Sequence, residues 1–218
     1  MTILALEFSS PQRSVAVLRT DGAAMTAESI ETGGHGANAF GMIEQVLAEA
    51  KIEREQIDAL AVGLGPGSYT GIRAAISLAQ GWQLARGVKL LGVSSAETIA
   101  AQARAEKIPG RVNVVIDAQR NEFYLATYEI TPDGWREIAP LKILSRAEVE
   151  SRAAGGEILA GPEVTKWFPN GRLIFPRAVA LAELVARRGD FTPGEKLEPI
   201  YLRETNFVKA APRLPGAS

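Results

Sequence analysis

The chain has 218 residues, a length that ordinarily folds as one large domain or two small lobes. Its make-up, 46% apolar and 22% charged, is that of a globular protein, and 24 basic against 25 acidic side chains leave a net charge of −1. That balance argues against a dominant basic surface able to grip nucleic acid unaided. The absence of cysteine excludes disulfides, thiol catalysis, iron–sulfur clusters and cysteine zinc sites, and a lone histidine, His35, excludes any site that needs two.

Met1 to Glu7 has no basic leader segment, and no run is long and apolar enough to span a bilayer, so the composition points to a cytoplasmic protein with no membrane partner. Ile3 to Phe8 reads as a strand and Val15 to Leu18 as the next. Asp21-Gly22 is a tight-turn signal, and Ala23 to Thr32 forms a third strand. Phe40, Ile43, Val46, Leu47 and Ala50 then fall at helical spacing. Ala59 to Val62 is a compact apolar strand, Gly63 to Gly71 a glycine-rich turn, and Ile72 to Ala85 a helix that ends near Gly87. Lys89 to Val93 is a strand, and Ser94 or Ser95 starts a helix reaching about Lys107.

The second half starts the same way. Val112 to Asp117 is again an apolar strand closed by an acid, Phe123 to Tyr128 the next, Asp133-Gly134 the turn and Trp135 to Leu144 the third. The closing acid precedes the Asp-Gly turn by 14 residues in the first copy and by 16 in the second. Further strands follow at Ile158 to Ala160 and Leu173 to Phe175, with a helix from Ala178 to Arg188 and a Pro/Ala/Gly-rich tail after Phe207. A repeated β-β-β-α unit predicts an α/β fold of the actin-like, ribonuclease-H-like kind. Its two lobes, residues 1–106 and 107–218, would each hold a mixed sheet flanked by helices, the tail packing back on the first lobe. One α+β domain with two look-alike meanders is the alternative.

The turn Gly63-Leu-Gly-Pro-Gly-Ser-Tyr-Thr-Gly71 lies where backbone N–H groups at a helix start hold anions. It fails both familiar phosphate patterns. Counted from Gly65, the sixth position of a dinucleotide fingerprint is Thr70, and no lysine occurs between Lys51 and Lys89. The alternative is structural: Gly65, Pro66 and Gly67 let the backbone pass close to a neighbour while Ser68 or Thr70 caps the helix.

Ala61 to Arg73, with Ala79-Gln-Gly81 and Leu91-Gly-Val-Ser-Ser95, closely resembles the TsaB (YeaZ) family, which acts in making threonylcarbamoyladenosine at position 37 of tRNA. The resemblance extends to Ile3 to Ser9, Asp117 to Tyr124 and Glu198 to Arg203. It implies a non-catalytic subunit without a cofactor. That subunit would pair with and activate a metal-containing TsaD-type paralogue, with a TsaE-type P-loop ATPase joining the complex. It would form a homodimer when alone and reach tRNA only through the complex. The paralogue carries a His-x-Glu-x-His metal pair, where this chain has Ser95-Ala-Glu-Thr-Ile99, and isoleucine ligates nothing.

At the start of the chain, Glu7-Phe-Ser-Ser-Pro-Gln-Arg13 departs from the family's usual Asp-Thr-Ser-Thr and contains no glycine with which to wrap phosphate. Independent ATP hydrolysis is therefore not expected. A small-metabolite phosphotransferase using Glu7, Asp117 and the glycine turn is the competing function, and a peptidase has no recognisable constellation.

The helices at 37–51 and 68–86 carry apolar residues on two adjoining stripes each, a pattern of burial on two sides. The resemblance implies that they form a four-helix bundle with the partner. On the first helix it draws on Phe40, Ile43 and Leu47; on the second, on Ser68, Tyr69, Thr70, Gly71, Arg73, Ala74 and Ser77. Burial of both stripes inside one lobe is the alternative.

Overall fold

The structure, a computed structural model, describes residues 1–21, 25–33 and 38–202. The apolar run at the start becomes strand β1 (Thr2–Glu7), which pairs antiparallel with β2 (Gln12–Arg19), itself antiparallel to β3 (Met25–Thr32). On its other side β1 is joined in parallel by β4 (Ala59–Gly63) and then β5 (Lys89–Val93), giving the order β3-β2-β1-β4-β5. The second half repeats this plan. Strand β6 (Gly110–Asp117) pairs antiparallel with β7 (Glu122–Thr131), which pairs with β8 (Gly134–Ser145), while β9 (Ile158–Gly161) and β10 (Arg172–Leu173) continue in parallel. The order β8-β7-β6-β9-β10 matches the first sheet strand for strand, so the duplication read from the two acid-ended strands is real and the fold is the two-lobed actin-like one.

Burial follows the period of two along each strand. Leu4, Leu6, Val15, Val17, Leu60 and Val62 point into a core beneath α1 (Ala39–Ala50) and α2 (Tyr69–Arg86). The intervening Ile3, Ala5, Ala16, Ala59 and Ala61 face α5 (Ala178–Arg187), and the four alanines let that helix lie close. In the second lobe Val112, Val114 and Ile116 meet α3 (Ser95–Ala105), whereas Val115, Phe123 and Leu125 pack with Val149 of α4 (Arg146–Ala154).

The halves thus exchange helices. The helix α3 follows the last strand of the first sheet but packs on the second, and α5 ends the second half but packs on the first. Ser14 Oγ donates to Glu28 Oε1 at 2.5 Å and accepts from Ala178 N at 2.9 Å, while Arg177 Nε donates to both Glu28 oxygens at 3.1 Å. Glu28→Ala strips this cluster of its acceptor and is expected to cost about 2 kcal/mol, read as a lower urea midpoint at unchanged slope.

Local chemistry sets the helix ends. Asn38 accepts from Gly41 N at 2.9 Å, and Gly87, at φ 68°, closes α2. The helix α2 starts three residues before the expected Ile72, because Ser68 caps it. The helix α4 has no counterpart among the elements expected from the sequence. Its signal is a capping box, Ser145 with Glu148, but Val149 is its one buried residue, so it has no apolar period. The expected strand at 173–175 is the pair Arg172–Leu173. Gly22, His35 and the tail after Phe207 lie outside the described residues.

Candidate functional site

Three glycines of the β4–α2 turn rest directly on the end of β1. A Cβ on Gly63 would overlap the Glu7 carboxylate, one on Gly67 the Ser9 carbonyl oxygen, and one on Gly71 the Phe8 carbonyl oxygen. Gly67 also sits at φ 147° and the Gly65–Pro66 peptide is cis. The turn's amides are largely spoken for: Leu64 N donates to Val93 O (2.9 Å), Gly65 N to Ser95 Oγ (3.1 Å), Ser68 N to Ser9 O (2.7 Å) and Gly71 N to Ser68 Oγ (3.3 Å). The glycines therefore serve close backbone approach and Ser68 serves capping, the structural alternative in the sequence reading.

Glu7 is fully buried. Its Oε1 accepts from Ser9 N at 2.9 Å, and Ser95 Oγ lies 3.2 and 3.0 Å from the two carboxylate oxygens. Burial pushes this carboxyl above the ordinary glutamate range, and the hydrogen bonds from Ser9 and Ser95 offset part of that rise. An acid so enclosed has no line to a phosphate in the space between the lobes.

That space is a cleft of about 490 Å³ lined from the first lobe by Ser9, Ser10, Arg13 and Ser68 and from the second by Asp117 and Gln119. Asp117 Oδ1 accepts from Gln119 N at 2.7 Å, so this acid caps a turn in which Gln119, Arg120 and Asn121 all have positive φ. The cleft has room for a nucleotide. Of the two acids named for a phosphotransferase, Glu7 is closed off from this cleft, while Asp117 lines it with one carboxylate oxygen held by the Gln119 amide.

Exposed side chains collect on α1 and along α2, whose N-terminal end adjoins the cleft that Ser68 and Tyr69 line. Phe40 on α1 is 66% exposed; on α2, Tyr69 is 56% and Leu84 90% exposed, with Ser68, Thr70, Arg73, Ser77 and Gly81 open beside a half-buried Ala74. Ile43 and Leu47, at 2% and 5%, lie in the first lobe's own core, as do Met42, Val46 and Ala50, so α1 turns its apolar residues inward except at Phe40. Gly71 is buried by its contact with Phe8. The C-terminal segment adds to this face. Ile200 N donates to Leu64 O at 2.9 Å, and Tyr201 stacks on Tyr69 at 5.9 Å. Arg73 lies 4.1 Å over the Tyr69 ring and its Nε donates to Tyr201 at 3.1 Å.

A family model described as TsaD, tRNA N6-adenosine threonylcarbamoyltransferase, matches residues 30–192. The tRNA threonylcarbamoyladenosine biosynthesis protein TsaB of Escherichia coli K12 is 29% identical over 233 residues, 99% of each chain. Its Haemophilus influenzae counterpart is 27% identical over 235 residues, 99% of this chain and 98% of that one. The solved structure of YeaZ from Pseudomonas aeruginosa superposes with a TM-score of 0.78 at 29% identity, covering 92% of this chain and 99% of that one. The chain belongs to the TsaB (YeaZ) family.

As a TsaB-type protein it is a tRNA threonylcarbamoyladenosine biosynthesis protein, and its buried residues show what the fold does with the positions discussed above. Ser95 and Ile99 are both fully buried: the serine hydroxyl is committed to Glu7 and Gly65 N, and the isoleucine lies in the second lobe's core. Glu97 between them pairs with Arg188 at the end of α5. These side chains do not fit a transition-metal ion, whose ligands are imidazoles, thiolates and free carboxylates. Sequence reasoning missed the exposed Tyr201 and Leu84. Tyr201 stands inside the Glu198–Arg203 stretch that carries the family resemblance, and Leu84 lies two turns beyond Ser77 on the same side of α2.

Proposed function

We propose that this TsaB-family chain is a non-catalytic, cytoplasmic subunit that binds and activates a metal-dependent TsaD-type threonylcarbamoyltransferase. The enzyme modifies adenosine 37 of tRNAs that read codons beginning with adenine. A TsaE-type P-loop ATPase joins the pair, tRNA is reached only through the complex, and the chain pairs with itself through the same face when alone.

One observation carries this reading: the stripe Thr70, Ala74, Ser77, Gly81 and Leu84 runs the length of α2 without cover from the chain's own described elements, and it ends in a leucine 90% exposed. Small residues along a helix ridge let a second helix approach closely, because the interaxial distance is set by the side chains at the contact. The aromatic and guanidinium groups of Tyr69, Arg73 and Tyr201 flank the ridge at its N-terminal end, the residue types that anchor protein interfaces.

Ala74→Glu and Phe40→Asp test this face. Each is expected to leave the melting temperature within about 3 °C, since Phe40 is open to solvent and Ala74, half-buried, lies outside the core. Each should also abolish co-purification with the TsaD-type enzyme, self-association in sedimentation and stimulation of tRNA modification. Variants that fold, bind and stimulate as the unaltered chain does would overturn the assignment.

A further inference from the structure

Glu7 and Ser95 are enclosed polar groups that the proposed activity does not use, and no cation faces the carboxylate among the described residues. Stability does not explain them. An apolar pair of similar shape fills a core at no desolvation cost, so a buried carboxyl held by a hydroxyl is retained at some expense.

What the pair does is visible in its connections. Ser95 is the first residue of α3, the helix seated on the second sheet; its N donates to Gly65 O at 2.8 Å and its Oγ reaches Glu7. Glu7 holds the Ser9 amide, and the Ser9 carbonyl accepts from Ser68 N at 2.7 Å, at the point where α2 begins. Hydrogen bonds therefore run unbroken from the helix of the second lobe to the first turn of α2. In that turn Tyr69, Thr70 and Arg73 stand open.

We propose that Glu7 and Ser95 are positioning residues: they hold the first turn of α2 in the geometry that the TsaD-type partner recognises. The proposal rests on the partner reading above. It assigns these two residues a role in recognition although neither reaches the surface, and it makes the seating of α3 on the second lobe a determinant of the first lobe's binding face.

Ser95→Ala removes the link with a minimal change of volume. Thr98→Val is the control. It deletes another fully buried hydroxyl of α3, one bonded at 3.2 Å to Ser94 O and outside the path. In the full chain carrying Ser95→Ala, amide hydrogen exchange at 69–73 is expected to quicken about tenfold, while that of β6 and β7 stays unchanged. Affinity for the purified TsaD-type enzyme should fall about tenfold in the same variant. Thr98→Val should leave the 69–73 exchange and the affinity as they are. Loosening that spreads through β6 and β7, equal effects of the two variants, or faster exchange with unaltered affinity would each overturn the positioning role. Failure of the unaltered chain to bind the enzyme overturns the partner reading, and the recognition role with it. Binding that is indifferent to Ser95→Ala overturns the positioning role alone.

Discussion

Gly71→Val is expected to be among the most damaging single substitutions in the first lobe. A side chain at this position would have to enter the space of the Phe8 carbonyl oxygen. Neither partner can yield: Gly71 is in the first turn of α2, tied to Ser68 Oγ, and Phe8 is fully buried just past β1. Separating them also breaks the Ser68 N to Ser9 O bond and withdraws Ile72 and Ala75 from the core they share with Phe8. Losses of this kind exceed about 4 kcal/mol, roughly a quarter or more of what holds an ordinary domain together, and correspond to a melting temperature at least about 8 °C lower. Gly67→Val meets the Ser9 carbonyl oxygen from a backbone at φ 147° and belongs in the same class.

The same helix supplies the contrast. Gly81 is exposed, with nothing near where a Cβ would stand, so Gly81→Ala is expected to raise stability by about 0.5–1 kcal/mol through helix propensity alone. Thermal melts of the three variants check the argument together. A Gly71→Val protein that melts with the unaltered chain would mean that the turn and the end of β1 are not in contact.

These contacts also mark how far the sequence could be read. The two sheets were legible because an apolar run ending in an acid, a turn and two more strands occur twice, at Ile3 and again at Val112, and period and punctuation are local properties. The exchange of α3 and α5 between lobes was not. An amphipathic stripe such as Ala96, Ile99, Ala100 and Ala103 says that one face is buried and is silent about which sheet buries it. The same silence hid the fate of Ile43 and Leu47. Of the stripe Phe40, Ile43 and Leu47 the last two are used inside the lobe, while Phe40 stays open, as do Leu84 and a tyrosine over a hundred residues away in sequence. Glu7 shows the limit most sharply. Its place in the sequence invites a phosphate-handling role, but the parallel register that sets Leu6 opposite Val62 brings the next residue beside Gly63, the one residue type there with no side chain to collide with a carboxylate.

That burial has a consequence for pH. The Glu7 carboxyl in the folded chain holds its proton more tightly than the ordinary value of 4.5, chiefly because burial penalises the charged form. A raised acid contributes stability that is fully present below the unfolded value and is lost as pH rises toward the folded one, since the unfolded chain has by then released its proton. Across that window the loss approaches about 1.4 kcal/mol per pH unit for a single group. Asp21, lowered by its own backbone N–H and the chain's amino terminus, and Glu148, lowered by Ser145, act in the opposite sense and below the ordinary carboxylate range, so they do not mask it. Glu7→Gln keeps an oxygen to accept from Ser9 N and carries no proton to lose. Denaturation midpoints are therefore expected to fall for the unaltered chain as pH rises above the ordinary glutamate value and to fall less for Glu7→Gln over the same range, the variant gaining on the unaltered chain toward the alkaline end. Parallel curves would show that Glu7 is ionised in the fold throughout, with Ser95 and Ser9 outweighing the cost of its burial.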